Sequence, residues 1–68
     1  MEYEMENVLR TRLKINGYDC EMNLDDGTYF PQILDADGKV LCWHYFDTRP
    51  EAMGYLHFQT KKLSEQGV

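Results

Sequence analysis

The chain has 68 residues, an aromatic content of 13% and a formal net charge of −5. Its length limits it to one small domain, and its aromatic content argues against disorder. No apolar run approaches the roughly 20 residues of a membrane helix, and the first ten residues lack the apolar segment of a signal peptide. We therefore expect a cytoplasmic protein, in a bacterium or a phage-infected host cell.

The negative charge is concentrated in the middle of the chain. Residues 18–47 carry seven acidic side chains and one basic side chain, Lys39, which gives this segment a net charge of −6. Residues 1–17 sum to zero and residues 48–68 sum to +1. A field of this sign repels nucleic acid and attracts basic protein surfaces.

The first predicted element is a helix over residues 2–15. Met5, Val8, Leu9 and Leu13 fall at helical spacing and form one apolar stripe. Three glutamates precede three basic residues, which matches the helix dipole. Asn16-Gly17 then predicts the C-terminal end of this helix.

From Tyr18 the apolar residues alternate with acidic ones, which predicts a half-buried strand over 18–24. Asp25-Asp26-Gly27 is a hairpin turn signal, and a second strand is predicted over 28–34. A further turn and an aromatic-rich strand over 39–46 follow. Pro31 cannot donate a ladder bond from a central strand, so we expect either a bulge there or an order other than a simple meander.

The last predicted element is a helix over residues 49–64. Thr48 fits the N-cap position, Glu51 the third helical position and Pro50 the first turn. Gly54 lowers the stability of this helix by roughly 1 kcal/mol relative to alanine, which would be explained by close packing on the sheet.

These elements predict an α+β fold of order α-β-β-β-α, a single domain over 1–68 with a three-stranded antiparallel sheet and both helices on one face. The other face then exposes one of two sets of side chains on the third strand. One set is Trp43 with Tyr45, and the other is Cys42 with His44 and Phe46. An aromatic patch rimmed by carboxylates is typical of a protein-binding surface, unless a homodimer partner or the N-terminal helix covers it.

The cysteines and histidines do not form a convincing chemical site. Cys20 and Cys42 lie in alternating apolar runs, so we expect free, poorly reactive thiols, with a Cys20–Cys42 disulfide as the alternative. The spacing of these cysteines with His44 and His57 lacks the close pairs of a zinc site. Cys42 and His44 are too far apart on a strand for a nucleophile and its base. No catalytic residue, metal or cofactor is predicted, and the turn at Asp35–Gly38 lacks the later ligands of a calcium loop.

Two family resemblances bear on function. The predicted element order resembles the double-stranded-RNA-binding domain, but the last helix begins with one base and one acid instead of a lysine-rich turn, so RNA binding does not follow. Residues 26–30, 35–38 and 47–52 (Asp-Gly-Thr-Tyr-Phe, Asp-Ala-Asp-Gly and Asp-Thr-Arg-Pro-Glu-Ala) resemble the HicB antitoxin family. This resemblance implies a module that neutralises a toxin ribonuclease.

The sequence thus predicts a non-enzymatic protein that binds and inhibits a basic, nucleic-acid-handling protein or ribonucleoprotein. Small acidic inhibitors of the anti-CRISPR and anti-restriction type, some of which mimic DNA, are the closest analogy in size and charge. A homodimer is left open, and a small Cys/His enzyme is the least favoured alternative. The predicted contacts are acidic residues with aromatic anchors: Asp19, Glu21, Asp25, Asp26, Asp35 and Asp37, with Tyr29, Trp43 and Tyr45.

Overall fold

The computed structural model describes residues 8–66 of the chain. Within these residues four strands form one antiparallel sheet in the order β1-β2-β3-β4, and a single helix follows. The elements are β1 (Val8–Ile15), β2 (Tyr18–Asp25), β3 (Thr28–Leu34), β4 (Val40–Trp43) and α1 (Arg49–Gln66). The predicted α+β class is confirmed, but the sheet gains a fourth strand where a helix was expected.

The predicted N-terminal helix is wrong over residues 8–15, which form β1; residues 2–7 of that prediction lie outside the described residues. Leu13 and Ile15 pack against the core from one side of β1, while basic residues occupy the alternate positions. This alternation has a period of two, as in a strand. It determines the structure in preference to the apolar stripe at helical spacing because β1, as a strand, pairs with β2 along its whole length.

Asn16-Gly17 ends a strand and not a helix. Asn16 has φ 50° and Gly17 has φ 85°, and together they connect β1 to β2 as a two-residue hairpin loop. Asp26 (φ 56°) and Gly27 (φ 83°) form an equivalent loop between β2 and β3, as predicted. Positive φ at both loop residues is the signature of the type I′ turn, whose twist matches that of the flanking strands.

Pro31 pairs with β2 but interrupts the pairing of β3 with β4. The structure has neither a bulge at Pro31 nor a strand order other than a simple meander, so both predicted alternatives are wrong. The register of β3 with β4 places Ile33 opposite Cys42, and an isolated bridge pairs Tyr29 with Phe46. That bridge exchanges two backbone hydrogen bonds of 2.9 and 2.7 Å. Pro31 lies between these two pairings and has no N–H to donate, so β4 ends at Trp43 instead of continuing to residue 46.

The core lies between α1 and the β2–β3 pair. Cys20, Met22 and Ile33 on the sheet are buried against Ala52 and Leu56, which are four residues apart on the helix. This spacing places one helical stripe over the sheet. The rest of the helix surface remains largely exposed, so α1 covers a single face of the sheet.

The start of α1 agrees with the sequence. The helix begins at Arg49, the Ala52 N–H donates to the Thr48 carbonyl (3.2 Å), and the Thr48 hydroxyl donates to the Glu51 carboxylate (3.0 Å). Gly54, in contrast, does not pack on the sheet, since a Cβ added there would have no neighbour within 4 Å. The prediction that close packing on the sheet explains this glycine is therefore wrong.

Candidate binding surface

The side of the sheet that faces away from α1 is called the open face below. Side chains alternate along each strand, so the neighbours of the buried Cys20, Met22 and Ile33 point to this side. The open face carries basic side chains on β1, mostly acidic side chains on β2, a mixed set on β3 and an aromatic side chain on β4. These are Arg10, Arg12 and Lys14 on β1; Asp19, Glu21, Asn23 and Asp25 on β2; Thr28, Phe30 and Gln32 on β3; and Trp43 on β4.

Three aromatic side chains cluster on the β3–β4 side of the open face. Trp43 and Tyr45 are 49% and 58% exposed, and their rings meet edge to face with centroids 5.0 Å apart. Phe30 contacts Tyr45 with ring centroids 5.7 Å apart. This resolves the alternative left by the sequence, because Cys42 and Phe46 instead pack against the core on the helix side. We call Phe30, Trp43 and Tyr45 the aromatic centre.

Tyr29 does not join this centre. It packs against the core and lies opposite Leu24 in the ladder, on the side of α1. Phe30 takes the place that was expected for Tyr29. The signal was available in the sequence, because a two-residue loop at Asp26-Gly27 places residue 29 opposite Leu24 and residue 30 opposite Asn23.

The acidic residues of β2 are partly compensated by β1. Glu21 lies opposite Arg12 with an N–O distance of 3.4 Å, and Asp19 lies opposite Lys14 at 3.6 Å. The Glu21 side chain is only 14% exposed, whereas that of Asp19 is 61% exposed. Ion pairs with exposed partners contribute only about 0–1 kcal/mol each to stability. The exposed Asp19 carboxylate can therefore also interact with the charge of a binding partner.

The other predicted acids divide between the two ends of the sheet. Asp25 and Asp26 are exposed at the loop between β2 and β3. At the opposite end, the Asp35 carboxylate accepts hydrogen bonds from the backbone N–H groups of Asp37 (2.9 Å) and Lys39 (2.8 Å). Asp35 thus stabilises its own turn, and Asp37 is the exposed acid there. Six residues of extended strand, roughly 20 Å, separate Asp19 from Asp25, so the acids flank the aromatic centre instead of forming one field.

Asn23 is a polar side chain beneath this surface. It is 1% exposed, and its Nδ2 donates to the Phe30 carbonyl (3.1 Å) directly across the ladder. Its Oδ1 is buried and accepts no hydrogen bond from the described residues. An unpaired buried acceptor costs about 1–3 kcal/mol, so Asn23 lowers the stability of the sheet at this position.

The cysteines and histidines lie on the other side of the sheet. Cys20 and Cys42 are free and flank Ile33 on neighbouring strands, so their Cα atoms are about 10 Å apart, too far for a disulfide. Burial raises the pKa of the Cys20 thiol. His44 stacks on Tyr55 with ring centroids 5.9 Å apart, and no group of three potential metal ligands occurs within residues 8–66.

Among the described residues, the pKa of Tyr55 is strongly shifted. Burial, reinforced by the adjacent Cys42 thiol, raises the pKa of Tyr55 to about 12. The tyrosine therefore stays protonated on the helix side, and it packs against Phe46 with ring centroids 5.4 Å apart. This cluster closes the core at the β4 edge.

Comparisons with protein-family models, curated proteins and solved structures found no significant match to the chain. Within residues 8–66 no helix is both long and apolar enough to span a lipid bilayer.

Proposed function

We propose that this protein is a non-enzymatic, cytoplasmic binding protein that uses the open face to bind and inhibit a basic, nucleic-acid-handling protein. The observation that carries the proposal is the exposed aromatic centre, in which Trp43 and Tyr45 are 49% and 58% exposed. Clustered exposed aromatic residues with a charged rim are the usual composition of a binding hot spot.

The charges around the aromatic centre support a basic partner. Asp25 and Asp26 lie at one end of the open face, and Asp19 and Asp37 lie toward the other end. A partner with lysine or arginine on both sides of an apolar groove would match this arrangement.

Nucleic-acid-handling proteins present such basic grooves, so binding there would compete with nucleic acid and inhibit the partner. The HicB-like resemblance leads to the same kind of target, a toxin ribonuclease, and stays the second candidate. The two candidates differ in one testable respect. An antitoxin relieves the toxicity of a ribonuclease encoded beside it, whereas an inhibitor of an immune or restriction complex protects foreign DNA.

The test begins with capture of basic proteins on the immobilised chain, followed by binding kinetics of each captured protein at two ionic strengths. Trp43→Ala with Tyr45→Ala should raise the dissociation rate, because these side chains would be desolvated in the complex. Phe58→Ala is the matched control, since Phe58 is 60% exposed but lies on α1.

A second variant tests the charges without disturbing the hairpin. Asparagine at positions 19, 25, 26 and 37 removes four charges and keeps a residue that tolerates the left-handed φ of Asp26. The association rate should fall, with the largest loss at low salt. An unchanged association rate together with an unchanged dissociation rate of the aromatic variant would refute the proposal.

A further inference from the structure

The outer edge of β4 is open in the part of the chain that the structure describes. Within residues 8–66 the sheet ends at β4, which pairs only with β3. The helix does not lie over this edge, because α1 packs mainly on β3. The outer backbone groups of β4 are therefore available to a further strand.

The register of β4 shows which backbone groups are available. Tyr29 and Phe46 exchange both of their backbone hydrogen bonds, and the same register continues as far as Ile33 opposite Cys42. Bonded and non-bonded pairs alternate in an antiparallel ladder, so residues 42, 44 and 46 direct their N–H and C=O groups toward β3. The intervening residues, Trp43 and Tyr45, direct theirs outward.

The side chains along this edge are apolar and exposed. Leu41 is 45% exposed, and Trp43 and Tyr45 beyond it are more exposed still. These three side chains lie on the open face, since Cys42 between them packs against the core on the helix side. A strand added at β4 would bury one flank of each of them.

The edge at β1 is protected against strand pairing, whereas the edge at β4 is not. Arg10, Arg12 and Lys14 are exposed on β1, so two β1 edges would repel each other. Residues 40–46 contain no lysine, arginine, aspartate or glutamate, in a chain of which 28% is charged. An unprotected edge with exposed apolar side chains favours pairing with another strand.

We propose that two copies of the chain pair their β4 edges antiparallel, with Trp43 opposite Trp43 of the second copy. In this register Leu41 of each copy lies opposite Tyr45 of the other, so apolar side chains meet along the open face. The outward backbone groups of the two Trp43 residues bond each other, and the two sheets become one continuous sheet.

Charge selects this register and this occupant. Lys39 and Asp47 are exposed at the two ends of the apolar run, and they come together at both ends of the interface. A change of register by two residues brings Asp37 to Asp47 in one direction and Lys39 to Arg49 in the other, and like charges are destabilising. A change by one residue opposes outward and inward backbone groups, which loses the ladder bonds. The edge is therefore complementary to itself about a two-fold axis.

The dimer is compatible with the proposed function but does not depend on it. Directly opposed residues of antiparallel strands have their side chains on the same face, so both open faces lie on one side of the joined sheet. The two aromatic centres then adjoin across the two-fold axis. The surfaces of their rings that face away from the sheet stay accessible to a partner.

The first experiment is sedimentation velocity across a range of protein concentrations, in which the wild-type chain should form a dimer. Lys39→Glu and Asp47→Lys should each weaken that dimer by about fivefold or more, because each change brings like charges together at both ends of the interface. Lys61→Glu is the matched control for Lys39→Glu, since it has the same net charge and lies exposed on α1; it should dimerise as the wild type does. A wild-type chain that is monomeric at all concentrations would overturn the proposal.

The decisive arm is charge exchange. The double variant with Lys39→Glu and Asp47→Lys has the wild-type net charge and should regain the dimer. The two single variants, mixed in equal amounts, should form a one-to-one heterodimer, because opposite charges then meet at both of its ends. A double variant that stays as weakly associated as the single variants, while circular dichroism shows it folded, would contradict the pairing.

Tryptophan fluorescence locates the interface independently. Trp43 is the chain's only tryptophan, and its emission should shift to longer wavelength on dilution over the concentrations at which the dimer dissociates. Emission that stays constant through that transition would place the interface elsewhere and refute the proposal. Asp19→Asn with Asp25→Asn should leave the dimer intact, because β3 separates β2 from the β4 edge. These two acids belong to the proposed partner surface, so failure of the dimer and failure of the proposed function are distinguishable.

Discussion

The contact between the first hairpin and α1 gives the sharpest test of the fold. The Asn16 Nδ2 donates to the Thr60 hydroxyl at 3.0 Å, and the Thr60 hydroxyl donates to the Leu56 carbonyl at 2.6 Å. Thr60 is fully buried, whereas Asn16 is exposed. A hydrogen bond of this kind contributes about 0.5–1.5 kcal/mol net to the free energy of unfolding.

The two side chains are best tested in a double-mutant cycle. Thr60→Val keeps the shape of the buried side chain and removes the hydroxyl. Asn16→Gly removes the amide but permits the left-handed φ of 50° that the turn requires, whereas alanine would add strain of about 1–2 kcal/mol. The cycle cancels the effects that each change has by itself, such as the greater chain entropy of glycine.

We expect a coupling of about 1 kcal/mol between the two changes, measured by urea denaturation with fluorescence of Trp43. In a domain of this size 1 kcal/mol corresponds to a shift in Tm of roughly 4–8 °C, so thermal unfolding can verify the result. Additive effects of the two changes would mean that the bond does not form in solution. The docking of the Asn16-Gly17 turn on α1 would then have to be reconsidered.

Four further predictions follow from single positions. Gly54→Ala should raise the free energy of unfolding by about 1 kcal/mol in the same denaturation assay, because the added Cβ meets no neighbour; a loss of stability would indicate an unseen contact. Thr48→Ala should lower it by about 0.5–2 kcal/mol, and an unchanged midpoint would mean that α1 starts elsewhere. The raised pKa of Tyr55 favours the folded state below pH 10, and this stabilisation should disappear as the pH rises from 10 to about 12; Tyr55→Phe should abolish that pH dependence of unfolding. Cys20 should react with alkylating reagents more slowly than Cys42, because it is buried and its pKa is raised, and the reverse order, read by mass spectrometry, would contradict the placement of β2.

Local signals predicted much of this fold because they depend on few residues. Thr48 and Glu51 mark the helix start and join their side chains by a hydrogen bond, and Asp26-Gly27 marks the hairpin because these residues tolerate positive φ. The strand over 28–34 was predicted with its observed bounds. These features need no knowledge of the rest of the chain.

The errors arose where two periods competed or where a distant residue decided the outcome. Leu9 and Leu13 fit a helix, while Thr11 and Ile15 complete a strand pattern, and only pairing with β2 decides between the two. Likewise β4 ends at Trp43 because Pro31 lies opposite residue 44 and has no N–H to donate there. This effect depends on the register between β3 and β4, which local sequence signals do not set.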